Sequence, residues 1–330
     1  MKGIDKRNRI FNTYSRNLKF LIDRYDLKLG IDTGDGPQPL ESDVYICPFC
    51  LRAFTPLALN QFCSNPLTLE DLPPKSVGGS PKILTCKECN NKSGQDFDRK
   101  ILDSLVTESF LKMIPNSKII SYIGINDGKK YPAIIQVEQN RTINFNLTTS
   151  SNLQTKKDLD YLIRNWEGSK MNFTFTGPNK NKLLSSLQRI GLLLTFYYFG
   201  NRVLLEGAYN RIRLSISDPE ENVPPHAGLL EIPPNKDIKP GIYIVNMPRE
   251  MRSYFIVFQI KNETLRKTVG FPFPGPGEIG WKNYLNYGSL NKKTDFSLEN
   301  ITSKEMVHQE SYVDAYDILF ERIDEYWPSK

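Results

Sequence analysis

Four of the five cysteines stand in two Cys-x-x-Cys pairs, Cys47/Cys50 and Cys86/Cys89, and Asn90 follows the last one directly. Two such knuckles supply four thiolates, the tetrahedral set that a closed structural zinc site requires. The 35 residues between them, Leu51–Thr85, exceed the ~15–20 of a plain zinc ribbon. That gap holds Leu67-Thr68-Leu69-Glu70-Asp71-Leu72-Pro73-Pro74-Lys75-Ser76-Val77-Gly78-Gly79, an acidic pair closing a short apolar strand before a proline turn and a glycine turn. The metal is therefore expected to hold another group of residues in place. The fifth cysteine, Cys63, has no basic neighbour to lower its pKa and reads as a small buried hydrophobe.

A chain of 330 residues has room for about two domains and can bury a core without disulfide help. Its longest apolar run, Ile190–Phe199, falls far short of the ~20 residues of a membrane span. The basic start, Met1–Arg9, is not followed by the apolar stretch of a signal peptide. Reduced, metal-bound thiols and a cytoplasmic location without a membrane partner are the matching expectations. A thiol–disulfide enzyme is set aside, since no thioredoxin-like βαβ pattern surrounds either pair.

The net charge of +6 is unevenly spread. Met1–Gly30 carries eight Lys/Arg against three Asp, whereas Glu41–Asp103 carries seven Lys/Arg against eight Asp/Glu. Four thiolates around one Zn²⁺ would make the second segment more negative still. The basic N-terminus, with Arg7, Arg9 and Arg16, is therefore the better place to hold a polyanion, although a solvated helix face explains it equally.

Periodicity predicts an α+β chain. Ile10, Phe11, Tyr14, Leu18, Leu21, Ile22 and Tyr25 mark one face of a helix over Ile4–Leu27. Val44–Ile46 reads as a strand, Leu67–Leu69 and Lys82–Leu84 as a hairpin, and Asn90 to about Ile114 as a helix. Beyond residue 115 the pattern predicts a hairpin over Lys118–Ile125 and Pro132–Val137, and a third strand near Thr142–Leu147. Helices are expected at Lys156–Trp166, Lys180–Phe199 and Ser311–Tyr326, with a helix or helix–strand switch at Asn201–Leu214. Strands are expected at Gly241–Asn246, Tyr254–Ile260 and Thr268–Phe271. The expected domains are a basic helical N-terminus (1–39), a zinc-bound ββα unit (40–115) and a larger mixed α+β C-terminal domain (116–330).

The order Cys-x-x-Cys, acidic pair, Pro-Pro-Lys-Ser-x-Gly-Gly and Leu-Thr-Cys-x-x-Cys-Asn-Asn resembles the zinc-framed branch of the HNH, or ββα-metal, endonucleases. The likeness covers about Cys47–Asp103. It implies a treble-clef-like unit with structural Zn²⁺ on Cys47, Cys50, Cys86 and Cys89. It also implies a catalytic Mg²⁺ or Mn²⁺ on Glu70 and Asn90, and phosphodiester hydrolysis in nucleic acid, with DNA placed ahead of RNA. A restriction-type or antiviral defence role is part of what the resemblance suggests. A hard ion needs few protein ligands when it keeps its waters, so one carboxylate and one amide oxygen suffice.

The family's water-activating His should follow Glu70, and Asp71 stands there instead. A carboxylate is a weaker base than imidazole unless burial or a like charge raises its pKa. The two histidines, His226 and His308, are remote in sequence, and the usual middle Asn is replaced by Pro81-Lys82-Ile83. Asp96 and Asp98 can add a carboxylate, although a solvated helix surface is the plainer reading of both. Lys75 and Ser76 suit a phosphate beside the metal or an ordinary solvated turn, and Asn91 suits a helix start. Two functions follow from the sequence. One is a metal-dependent endonuclease with Asp71 as base, whose C-terminal domain selects substrate, binds a protein or ligand partner, or mediates assembly such as a homodimer. The other is a catalytically degenerate zinc module that binds nucleic acid or serves as an interaction scaffold.

Overall fold

Seven basic residues and one apolar stripe make the first helix, α1 (Lys2–Tyr25), amphipathic. Its buried face is Phe11, Tyr14, Leu18 and Leu21, and Arg9, Arg16 and Lys19 lie on the exposed side. The computed structural model describes residues 2–27, 30–32, 37–39, 43–93, 97–124, 130–147, 157, 164, 172–175, 177, 179–221, 228–289 and 295–302. The expected helices at Lys156–Trp166 and Ser311–Tyr326 fall wholly or mainly outside these residues.

The chain is mixed helix and sheet. Short antiparallel pairs form between β1 (Gly30–Asp32) and β2 (Pro37–Pro39), and between β3 (Tyr45–Ile46) and β4 (Ala53–Phe54). Next come β5 (Leu67–Leu72) and β6 (Ser80–Cys86), an antiparallel hairpin longer than its apolar residues predicted. Glu70 and Asp71 therefore lie inside the strand, because the ladder continues to Leu72↔Ser80 past a register shift between Glu70 and Asp71. The turn depends on its glycines. Gly78 has φ 94°, and a Cβ on Gly79 would lie 1.4 Å from the Pro73 carbonyl oxygen. The expected single helix after the hairpin is seen as α2 (Lys87–Ser93) and α3 (Arg99–Leu111), with 94–96 outside the described residues. Its start moves forward to Lys87, so Cys89 and Asn90 sit in its first turn.

Two compact units emerge, and they interleave along the chain. One comprises Met1–Arg99, Lys180–Ile260 and Lys267–Lys330, the other Lys100–Asn179 and Lys261–Arg266. This partition differs from a division at 39/40 and 115/116. The reason is α4 (Lys180–Phe199), a helix apolar on nearly every side, whose Leu193 and Phe196 complete a core with Phe11, Tyr14, Tyr45, Leu67, Ile83 and Leu84. Tyr14 stacks on Phe196 at 4.7 Å between ring centres.

The second unit contains most of α3 and a four-stranded antiparallel sheet ordered β10-β7-β8-β9. Its strands are β7 (Lys118–Gly124), β8 (Lys130–Val137), β9 (Ile143–Leu147) and β10 (Asn172–Thr174). β7 and β8 alternate buried and open positions, as a sheet with one covered face should.

In the first unit, the expected Asn201–Leu214 element divides into a 3-10 turn, Gly200–Leu205, and α5 (Ala208–Ser217). The remaining sheet has the order β11-β14-β13-β12-β15, built from β11 (Leu230–Ile232), β12 (Gly241–Met247), β13 (Tyr254–Lys261), β14 (Arg266–Phe273) and β15 (Ser297–Asn300). Its core includes Tyr243, Val245, Phe255 and Val257 with Tyr284 of α6 (Gly277–Leu285).

Candidate metal and acidic site

The four cysteines converge. Cys47, Cys50, Cys86 and Cys89 bring their sulfurs within 4.8 Å of one another, and Cys50 Sγ lies 3.8 Å from Cys86 Sγ. Four sulfurs at the ~2.3 Å of a tetrahedral Zn–S bond are separated by about 3.8 Å, so the cluster can hold a metal such as zinc. Hydrogen bonds from Cys47, Cys86 and Cys89 drive the Cys50 thiol strongly toward thiolate, with Arg52 adding to the effect. The same shared protons push Cys47 and Cys89 the other way. A metal ion resolves that competition by displacing the protons. Arg52 also reaches Cys86 Sγ and pairs with Glu88. Cys63 is half-buried and lies outside the cluster.

On β5, Glu70 is only 4% exposed. One carboxylate oxygen pairs with Arg189 of α4, and the other accepts the Thr85 hydroxyl at 3.1 Å. Arg189 is itself buried, and its guanidinium lies 4.2 Å from the centre of the Phe49 ring, inside the first knuckle. Asn90 donates from Nδ2 to Thr68 Oγ1 at 2.8 Å and to the Leu69 carbonyl at 3.2 Å. Strand alternation puts Thr68 on the face of Glu70, which brings Asn90 to that face. Both Asn90 bonds among the described residues use the nitrogen.

Asp71 is half-buried. Burial raises its carboxyl above the usual range, while Lys75 and Lys6 oppose the shift. Asp98 is pushed up to about 6, mainly by burial; Arg189 opposes this, and the charges of Glu70 and Asp71 add to it. Its Oδ1 is buried without a hydrogen-bond partner. Asp98 is thus partly buried where a solvated helix surface was the plainer expectation. Phe97 is 3% exposed, and its carbonyl accepts the Ser186 hydroxyl of α4 at 2.9 Å.

Lys75 and Ser76 are exposed, Arg9 and Arg16 are exposed, and Arg7 is half-buried. Asp96, His226 and His308 lie outside the described residues. Arg189 escaped the sequence reading altogether. It stands mid-helix in α4, and nothing local links it to a strand 119 positions away. Among the described residues, the cysteines are the one group of three or more His, Cys, Asp or Glu close enough to share a metal ion. Glu70 and Asn90 meet on one face of the hairpin, where both Glu70 carboxylate oxygens are already bonded, by Arg189 and by Thr85. Comparison with protein families, characterised proteins and solved structures finds no match for this chain.

Proposed function

We propose that the chain is a zinc-framed HNH-type endonuclease that hydrolyses nucleic-acid phosphodiesters, DNA ahead of RNA. The observation that carries this reading is that Asn90, beside the cysteine cluster, bonds Thr68 and Leu69 on the strand that carries Glu70, while Asp98 feels the charge of Glu70. Glu70 and Asn90 Oδ1 would hold Mg²⁺ or Mn²⁺, which when bound polarises the attacked phosphate and stabilises the leaving oxygen.

Asp98 takes the part of the missing histidine. A carboxylate at about 6 is a competent proton acceptor near neutrality, where an ordinary one is not. Its buried Oδ1 has no hydrogen-bond partner among the described residues, so an acceptor position there is unfilled. Asp71 is raised as well, by burial against the opposing charges of Lys75 and Lys6, and is the alternative base. Lys6 and Lys75 also favour a phosphate nearby, and Arg9 and Arg16 of α1 are exposed.

The test is nicking of plasmid DNA and of RNA by zinc-loaded protein, with and without millimolar Mg²⁺ or Mn²⁺. Cutting should require the added ion and be abolished by Glu70→Ala, Asn90→Ala or Asp98→Asn with zinc retained. Zinc-loaded protein that cuts neither polymer with any divalent ion sinks the reading. A second reading, a non-cleaving nucleic-acid-binding module, draws on the burial of Glu70 against Arg189. It predicts binding that is indifferent to Mg²⁺ and to Asp98→Asn.

A further inference from the structure

We propose that Arg189 is the protein's own competitor for the divalent cation at Glu70, so that ion binding requires the guanidinium to give up the carboxylate. This rests on the reading of Glu70 and Asn90 as ligands. The pair is enclosed, with side-chain exposures of 3% and 5%, so neither charge is satisfied by water. An ion reaching Glu70 must therefore displace Arg189 or share a carboxylate already bonded on both oxygens, by Arg189 and by Thr85.

The surroundings give the guanidinium a second place to go. Arg189 lines a cavity of about 250 Å³ with the rings of Phe49 and Phe97, the cysteines Cys50 and Cys89 of the cluster, and two further cations, Lys92 and Arg213. Phe49 already lies against the guanidinium and can follow it as a stacking surface. Asp98 also interacts with the charge of Arg189, so a released guanidinium stays in a partly anionic surrounding without having to bond that carboxyl. Ser186, one turn earlier on α4, holds the Phe97 carbonyl and keeps that carboxyl within reach.

Competition of this kind is a coupling free energy, equal in both directions. Removing the guanidinium should tighten Mn²⁺ binding by the ~5–150-fold typical of such coupling. The experiment is Mn²⁺ titration of zinc-loaded full-length protein, read by electron paramagnetic resonance and calorimetry, with zinc content and circular dichroism as controls for folding. Affinity should rise in the order wild type, Arg189→Lys, Arg189→Gln, since lysine keeps the charge but not the planar fork. Adding Glu70→Gln to Arg189→Gln should erase the gain. Arg189→Lys keeps a buried cation and serves as the foldable variant if Arg189→Gln loses zinc.

Folded, zinc-loaded Arg189 variants that bind Mn²⁺ no tighter than wild type overturn the competition, while a wild-type affinity lost on Glu70→Gln leaves the ligand reading intact. Mn²⁺ binding that ignores Glu70→Gln in every background removes Glu70 as a ligand, and the competition falls with it.

Discussion

Tyr45 and Leu84 exchange two hydrogen bonds: the phenol donates to the Leu84 carbonyl at 2.6 Å and accepts from the Leu84 amide at 3.2 Å. Tyr45 precedes the first knuckle by two residues and Leu84 precedes the second by two. The phenol thus ties together the two backbone segments that deliver the four cysteines. Both residues are buried, so Tyr45→Phe strands an amide and a carbonyl away from water. The expected cost is about 1–3 kcal/mol. It should appear as a lower urea midpoint and as faster zinc release to a chelator. Unchanged release would show that the knuckles hold their spacing without this link.

Gly79 gives a sharper stability test. A Cβ there meets the Pro73 carbonyl oxygen at 1.4 Å, and the obstacle is backbone that has no rotamer to yield. Gly79→Ala should therefore destabilise the hairpin by about 1–3 kcal/mol or more, with the turn displaced from Glu70. A midpoint equal to wild type in thermal and urea melts would contradict the close approach.

These positions show what was legible in sequence and what was not. The knuckle spacing named the cysteine cluster because four thiols with those intervals have few other uses. The 3.6-residue period of Phe11, Tyr14, Leu18 and Leu21 likewise named α1, and the apolar density of Lys180–Phe199 named α4. Glu70 was found by motif, but its burial was not, since burial depends on a helix more than a hundred residues later in the chain. Asp98 was underrated for a related reason. Period and charge alone cannot tell an acid facing water from a partly buried one, when the neighbouring backbone is held by a hydroxyl on another element, Ser186. Arg189 was invisible because its partner is purely tertiary.

Charge on α1 offers an independent check on the polyanion. Arg9 and Arg16 are exposed, whereas Arg7 is half-buried with Nε enclosed, so the outer pair can be altered with less risk to the fold. Reversing both to Glu should weaken nucleic-acid binding and flatten the dependence of log K on log salt. Each lost phosphate contact reduces that slope by about 0.9 on duplex DNA. An unchanged slope and affinity would place the footprint elsewhere.

The acid at about 6 gives the most discriminating prediction, because stability and chemistry should move oppositely. The folded-state pKa of Asp98 is raised from 3.8, so folding favours its protonated form. Its contribution is therefore fully present below about 3.8 and is lost as pH rises through about 6. Asn imitates the protonated acid. Without added divalent ion, Asp98→Asn should match wild type near the lower pKa and be more stable above the upper one. The shift would be near 3 kcal/mol undiscounted; solvent screening of this partly exposed group reduces it to about 1–2 kcal/mol. Urea midpoints measured on both sides of the window check the sign. In the nicking assay the wild-type rate should climb with pH through about 6, and Asp98→Asn should lose both that inflection and ~10²–10⁴-fold in rate. A merely structural Asp98 would not produce a variant that is sturdier at high pH and yet inactive. Equal stability across the window, or a wild-type rate flat through it, removes Asp98 as the base.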